Sequence, residues 1–121
     1  MNFSISDIFT DENIRDWETF WLYLGNFIDA FRRSPSYETL ASEPELTDKK
    51  IGAFTAAAAE QLAYTHGVQI PDWVFLRRYY LDEPFFAGGF KGEYNIFLLR
   101  ESPLPFKARN IFVSANVLDR C

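Results

Sequence analysis

A run of large apolar side chains at helical spacing, between residues 14 and 31, constrains the fold more than any other feature of the chain. Its members are Ile14, Trp17, Phe20, Trp21, Leu24, Phe27, Ile28 and Phe31. The spacing predicts an amphipathic helix over about 12–33, capped by Thr10 or Asp11 and ended by Pro35. Because the apolar stripe is wide and aromatic, we expect Trp17, Trp21 and Phe27 to be buried and this helix to be the centre of the core.

A second helix is predicted over about 48–66, with Thr47 as its cap and Gly67 as its end. Its apolar face is formed by Ile51, Phe54, Ala58 and Leu62. The four alanines at 56–59 let a neighbouring helix approach closely, so the first helix, with its large rings, is the expected packing partner. The connection over 34–46 is predicted to be irregular, with a turn of helix.

The C-terminal half lacks a long helical pattern, and short elements are predicted there. Pro71 fits the first position of a short helix over 72–79, and a loop rich in Gly and Phe follows over 82–92. The remaining predictions are a helix over 93–101, with a strand at 94–99 as the alternative, an extended segment over 110–113 and a helix over 114–120. Together these patterns predict a mainly α fold in a single domain over 1–121, a compact bundle of two long and several short helices with an irregular C-terminal half.

Composition excludes several classes of protein. With 48% hydrophobic and 24% charged residues the chain is typical of a folded domain. Its single cysteine, Cys121, cannot form an internal disulfide, which excludes a disulfide-built secreted scaffold. No stretch approaches the length of a membrane span, and residues 1–9 lack the basic flank and apolar run of a signal peptide. A cytoplasmic protein without a membrane anchor is expected.

Few residues offer catalytic or metal chemistry. His66, the single histidine, falls at the end of the second helix, where a cation is favoured. One histidine and one cysteine cannot form a zinc site of the usual type. The adjacent Asp82 and Glu83 fit a turn before Pro84, and the glycines at 88–89 lack the Gly-Lys-Ser/Thr ending of a phosphate loop. No catalytic residue, metal site or cofactor is predicted, and a non-enzymatic role is favoured.

Aromatic and arginine side chains are frequent in the C-terminal half. The candidate interaction residues are Trp73, Arg77, Arg78, Phe85, Phe86 and Arg109. These residue types are enriched at the centres of protein interfaces and also stack on single-stranded nucleic acid. A structural role fits most of them too, with the rings in a core and the arginines paired. Arg109 beside Asn110 is a candidate structural pair, since arginine forks onto carboxylates and asparagine bonds to backbone.

The charge distribution disfavours nucleic acid as a partner. Residues 1–70 carry five Lys and Arg against eleven Asp and Glu, and residues 71–121 carry seven against six. The net charge of −5 therefore lacks the basic excess through which proteins displace phosphate counterions. We expect a protein partner.

Four short motifs follow one another from Pro71 onward. They are Pro71-Asp72-Trp73-Val74, Pro84-Phe85-Phe86-Ala87-Gly88-Gly89, Glu101-Ser102-Pro103 and Arg109-Asn110-Ile111-Phe112-Val113. In this order they resemble a family of small bacterial proteins of unknown function. Relatives tend to have Pro-Trp-Phe in place of Pro84-Phe85-Phe86, and a more basic run before the last motif. Since relatives occur in toxin–antitoxin-like loci, the resemblance implies an antitoxin-like or regulatory protein that binds the product of a neighbouring gene.

The sequence thus favours a protein-interaction domain, and two alternatives stay open. One is a small-ligand-binding protein or an enzyme with a pocket under the loop at 82–92, which perturbed carboxylates or His66 in a deep cleft would favour. The other is nucleic-acid binding through the Arg-rich C-terminal half, which a contiguous positive face would favour.

Overall fold

A computed structural model describes residues 3–86, 102–113 and 118 of the chain. The helices within these residues are α1 (Ile5–Ile8), α2 (Trp17–Arg33), α3 (Tyr37–Leu40), α4 (Lys49–Thr65) and α5 (Leu104–Ala108). Two 3₁₀ turns, η1 (Asp72–Phe75) and η2 (Arg77–Tyr79), follow α4. A parallel two-stranded sheet pairs β1 (Phe85–Phe86) with β2 (Ile111–Phe112). The mainly α class, with two long helices and several short ones, is confirmed.

The start of α2 is set by a capping box and not by the onset of the apolar pattern. Asp16 accepts a hydrogen bond from the backbone N–H of Thr19 at 2.8 Å, and its own N–H donates to the Thr19 hydroxyl at 3.1 Å. The backbone bond from Thr19 is the main cause of a lowered pKa at Asp16. The predicted start at about 12, with Thr10 or Asp11 as cap, is therefore wrong, because Asp16 and Thr19 satisfy the helix's free N–H groups reciprocally.

The centre of the core is α4, which corrects the expectation that the first long helix would be central. Residues 51–59 of α4 are all buried, so the helix is covered around its whole circumference. Asp48 caps it by accepting from the N–H of Ile51 at 2.9 Å, the role predicted for Thr47. Because the alanines at 56–59 are small, short elements approach this helix closely, and η1, η2 and α5 all contact it.

The two long helices meet through aromatic rings around Phe54 of α4. The α2 rings lie at centroid distances of 5.9 Å for Trp17, 5.4 Å for Phe20 and 5.2 Å for Trp21, all edge-on to Phe54. Phe106 of α5 contacts the same ring at 4.9 Å. Edge-to-face pairs of this kind add to the free energy of apolar burial. The predicted packing of the first helix on the second is therefore present, with Phe54 as its centre.

Burial along α2 agrees with the predicted stripe except at its edge. Phe27 is 1% exposed, as expected, but Trp21 is 39% exposed and Trp17 is half-buried. Trp21 lies beside Leu22, which is 62% exposed, at the border between the core and the solvent. The prediction that Trp21 is buried is thus wrong, because its ring contacts Phe54 and Phe20 at the border of the core and leaves the remainder in water.

The C-terminal half differs from the predicted pattern at two places. The helix expected over 72–79 is divided into η1 and η2 by an extended residue, Leu76 (φ −66°, ψ 140°). A continuous α-helix would direct the Val74 carbonyl to the N–H of residue 78, but this carbonyl accepts from Arg109 at 2.6 Å instead. Phe85 and Phe86, predicted to lie in a loop, form β1.

The remaining short elements follow the sequence pattern where the structure describes them. The extended segment predicted at 110–113 contains β2, and the turn of helix predicted within 34–46 is α3. The predicted helix over 93–101 and its strand alternative at 94–99 lie outside the described residues. The helix predicted over 114–120 also lies outside them, apart from residue 118.

Phe27→Ala should lower the free energy of unfolding by about 3–5 kcal/mol, because truncating a fully buried ring leaves a cavity. Trp21→Ala should cost clearly less, since 39% of this side chain is already in water. Urea denaturation of the two variants beside the wild type measures both values. Equal losses would contradict the difference in burial between these two positions of α2.

Candidate functional site

A single buried guanidinium joins three segments of the fold. Arg109 is 0% exposed, and its Nη1 lies 2.7 Å from a Glu60 carboxylate oxygen and donates to the Pro105 carbonyl at 2.7 Å. Its Nη2 donates to the Val74 carbonyl at 2.6 Å, and the guanidinium lies 4.7 Å from the ring centroid of Tyr80. Because the planar fork of arginine reaches several oxygens at once, this side chain ties α4, η1 and α5 together. We call this arrangement the Arg109 clamp.

Asn110 extends the clamp into the backbone. It has a positive φ of 66°, a conformation that asparagine tolerates better than most residues. Its side-chain amide donates to the Leu81 carbonyl at 3.0 Å, and its own carbonyl accepts from the N–H of Phe85 at 2.8 Å. The pair Arg109–Asn110 therefore turns the chain from α5 into β2 and fixes the segment that leads to β1, the structural role that the sequence predicted.

Trp73 is the second buried residue among the predicted interaction residues. Its indole N–H donates to the Leu40 carbonyl at 2.8 Å, and its ring meets Tyr79 edge-on at 5.5 Å. Trp73 and Arg109 lie inside the protein, so they do not form the interaction surface predicted for them. Trp73 attaches η1 to Leu40, and Arg109 binds the Val74 carbonyl of the same turn.

The other predicted interaction residues lie at two separate places. Phe85 and Phe86 are half-buried in β1, where Phe85 contacts Trp17 at 5.3 Å. Arg77 and Arg78 are exposed in η2. Arg78 binds Glu43, whereas the side chain of Arg77 forms no ion pair or hydrogen bond within the described part of the chain. The structure does not bring the predicted set together as one surface.

The side chains of Asp72, Phe75, Leu76 and Arg77 form an exposed ridge on the segment whose Val74 carbonyl binds the clamp. Phe75 is 52% exposed and Leu76 is 41% exposed. The three-residue period of η1 places Asp72 and Phe75 on the same side, while Trp73 and Val74 between them face the core. Leu76 and Arg77, which follow in the chain, are exposed as well, so the ridge is a short segment with four exposed side chains, two of them apolar.

Leu104 is a further exposed apolar side chain, on the other segment that the clamp binds. It is 74% exposed and is the chain neighbour of Pro105, whose carbonyl accepts from Arg109. Phe75 is in the same way the chain neighbour of Val74, whose carbonyl also accepts from Arg109. Among the exposed residues, the sequence pattern singled out Arg77 but not Phe75, Leu76 or Leu104. Buried and exposed apolar residues alternate here without a regular period, so the sequence carries no signal that separates them.

An open cleft of about 650 Å³ lies between the segment 43–47 and η2, with Asp11 at its edge. Glu43 accepts hydrogen bonds there from Arg78, at 2.9 Å from its Nε, and from the Tyr79 hydroxyl. Burial raises the pKa of Glu43, but the bonds from Tyr79 and Arg78 outweigh it and leave this pKa lowered. Burial, followed by the bond to Glu43, raises the pKa of Tyr79 to about 12. The pKa values of both groups are shifted away from neutral pH, whereas a general acid or base needs a pKa near it.

His66 has a structural setting. Its Nδ1 lies 3.1 Å from the Leu62 carbonyl at the end of α4, and its ring is edge-on to Phe31 at 5.3 Å. Across the part of the chain that the structure describes, no group of three or more His, Cys, Asp or Glu side chains is placed to hold a metal ion. Of the described helices, none has the length and apolar character needed to cross a lipid bilayer.

No model of a known protein family, no curated protein and no solved structure matches this chain. Function must therefore be inferred from the residues themselves. The features available for that inference are the Arg109 clamp, the exposed ridge and the cleft at Glu43.

Arg109→Ala should lower the free energy of unfolding by about 3–5 kcal/mol, because it leaves a largely buried carboxylate and two buried carbonyls without their donor. The matched control is Arg77→Ala, an exposed arginine whose loss should change stability by no more than about 0.5 kcal/mol. Urea denaturation compares the two. If both variants unfolded at the same midpoint urea concentration as the wild type, the clamp would not contribute to stability.

The ion pair at Glu43 should give the protein a defined pH dependence. Since the folded pKa of Glu43 is below its ordinary value of 4.5, its contribution to stability is complete above that pH and is lost on acidification through the lower, folded pKa. Since the pKa of Tyr79 is raised from 10 to about 12, stability also falls as the pH rises between these values.

Melting temperatures of the wild type, Glu43→Gln and Tyr79→Phe across the pH range measure both effects. The gap between the wild type and Glu43→Gln should narrow as the pH falls below 4.5. Tyr79→Phe should remove the loss between pH 10 and 12. A gap that stays constant at every pH would show that neither group is coupled to folding.

Proposed function

We propose that this chain is a non-enzymatic protein-interaction domain that acts in the cytoplasm as an antitoxin-like or regulatory partner of a neighbouring gene's product. The observation that carries the proposal is the exposed ridge, whose backbone is fixed by the hydrogen bond from the buried Arg109 to the Val74 carbonyl. The motif resemblance from Pro71 onward supports the same role, since it implies a partner encoded nearby.

The exposed apolar side chains belong to two segments that the clamp joins. Phe75 and Leu76 are adjacent in the chain, and Leu104 is attached to the other segment whose carbonyl the clamp binds. One guanidinium bonds both carbonyls, so the backbone segments that carry these side chains come close together at this point. Grouped apolar exposure on a folded chain is typical of a binding surface.

The ridge is also ordered in the unbound protein. Val74 and Trp73 beneath it are buried and hydrogen-bonded, so Phe75 projects from an ordered backbone. A surface that is already ordered loses less conformational entropy on association. Arg77 beside the apolar pair is of a residue type that is frequent among the dominant contacts of interfaces.

The two alternative functions are less well supported within the described residues. Glu43 and Tyr79 in the cleft have pKa values displaced away from neutrality, which disfavours acid–base catalysis. For nucleic acid, Arg109 is buried and Arg78 is paired with Glu43. The arginines of this region therefore serve the fold more than they form a contiguous positive face.

The proposal predicts that the domain forms a complex with the product of the adjacent gene and that the ridge carries the contact. Phe75→Ala combined with Leu104→Ala should weaken that complex by at least about tenfold, the effect of losing central apolar contacts. The measurement is gel filtration of the two purified proteins, alone and mixed, followed by titration calorimetry.

Leu22→Ala is the matched control, because Leu22 is also an exposed apolar residue, 62% exposed, but lies on α2. This variant should bind as the wild type does. Melting temperatures show whether each variant remains folded. Absence of a complex with the adjacent gene's product, or a complex that Leu22→Ala weakens as much as the ridge variant, would overturn the proposal.

A further inference from the structure

The exposed ridge carries opposite charges at its two ends. Asp72 lies at one end and Arg77 at the other, with the apolar pair Phe75 and Leu76 between them. Both charged side chains are exposed, and neither forms an ion pair or hydrogen bond within the described residues. The order along the ridge is therefore acidic, apolar, apolar, basic, with both charges available to another molecule.

We propose that the ridge is a self-complementary surface through which two copies of this chain associate about a two-fold axis. An isologous contact places residue i of one copy against residue j of the other, and j against i. With the axis passing midway between Asp72 and Arg77, beside the apolar pair, Asp72 of each copy meets Arg77 of the other. One ridge thus supplies both the apolar contact and two symmetry-related ion pairs.

The charge order selects a second copy over a partner of uniform charge. A strongly acidic partner would meet Asp72 and a strongly basic one would meet Arg77, so each would leave one like-charged contact, which is costly. Only a surface with the reverse order of charges satisfies both ends, and a two-fold rotation of the ridge produces that order. The net charge of −5 opposes self-association in general, so the local pairs must supply the attraction.

The size of the ridge sets the strength of this dimer. A standard interface buries about 800 Å² on each partner, and a ridge of four side chains with Leu104 beside it offers less. The dimer is therefore weak, and forms only at high protein concentration. It also covers Phe75 and Leu76, so it competes with the partner of the proposed function, although the dimer itself does not depend on that function.

Sedimentation velocity and equilibrium of the full chain, from about 5 to 500 µM, test the dimer. Asp72→Arg gives a ridge with two positive ends, and Arg77→Asp gives one with two negative ends. Each variant alone should raise the dissociation constant at least about tenfold, because like charges then face each other twice. Glu83→Arg, an exposed acidic residue outside the ridge, is the matched control and should leave the constant unchanged.

Charge exchange supplies the decisive comparison. An equimolar mixture of Asp72→Arg and Arg77→Asp should form a heterodimer, and the double variant a homodimer, each within about threefold of the wild type, since both restore every opposite pair. This rescue also shows that the single variants are folded. Circular dichroism spectra provide an independent check of folding.

A wild type that stays monomeric throughout the concentration range overturns the proposal, as does a dimer that the single variants leave intact or that the mixture does not rescue. If the chain is monomeric but the ridge variants lose the adjacent gene's product, the ridge serves a different protein and only the dimer is excluded. If the dimer forms and that product does not bind, the dimer stands and the proposed function fails.

Discussion

The short segments after α4 that the structure describes depend on the contact between one buried guanidinium and three oxygens. The segments η1 and α5 are a turn or so long, and helices of this length are not stable by themselves in water. Arg109 fixes both through the carbonyls of Val74 and Pro105, while Glu60 on α4 neutralises its charge. Burying a charge is costly unless it is paired and hydrogen-bonded. The clamp meets both conditions for the two terminal nitrogens of the guanidinium, so the cost is offset where the short segments need a fixed anchor.

The position of the clamp follows from the composition of α4. Small side chains at 56–59 let the short segments lie close to this helix, and Phe54, one turn earlier, gathers the rings of α2 and α5. The helix thus makes two kinds of contact in the core. Phe54 in its N-terminal half forms the aromatic contact, and the small residues that follow form a close-packed surface beside its single carboxylate, Glu60. That carboxylate is reached by Arg109 because the neighbouring side chains are too small to keep α5 away.

Local sequence predicted those parts of the fold that local physics decides. The two long helices and the burial of Phe27 follow from apolar periodicity, which a single sequence displays directly. Trp21 was wrongly predicted to be buried because a wide apolar stripe includes residues at the border with solvent, and periodicity does not identify them. The break between η1 and η2 could not be predicted, since it depends on Arg109, which is distant in the chain. For the same reason residue type alone grouped Arg109 with Arg77, although one is fully buried and the other is exposed.

The exposure of Phe75 and Leu76 is therefore best understood as a property that the fold maintains. A continuous helix over 72–79 would satisfy its own carbonyls, whereas the two 3₁₀ turns leave the Val74 carbonyl to a long-range donor. The divided arrangement puts two large apolar side chains into water, which by itself is unfavourable. Trp73, Val74 and Tyr79 gain burial in exchange, so the core alone explains why the segment turns inward at these residues. It does not explain why the residues between them are apolar, since Phe75 is 52% exposed and Leu76 is 41% exposed. The binding surface that we propose would account for their identity, and the buried clamp accounts for the position of the segment that carries them.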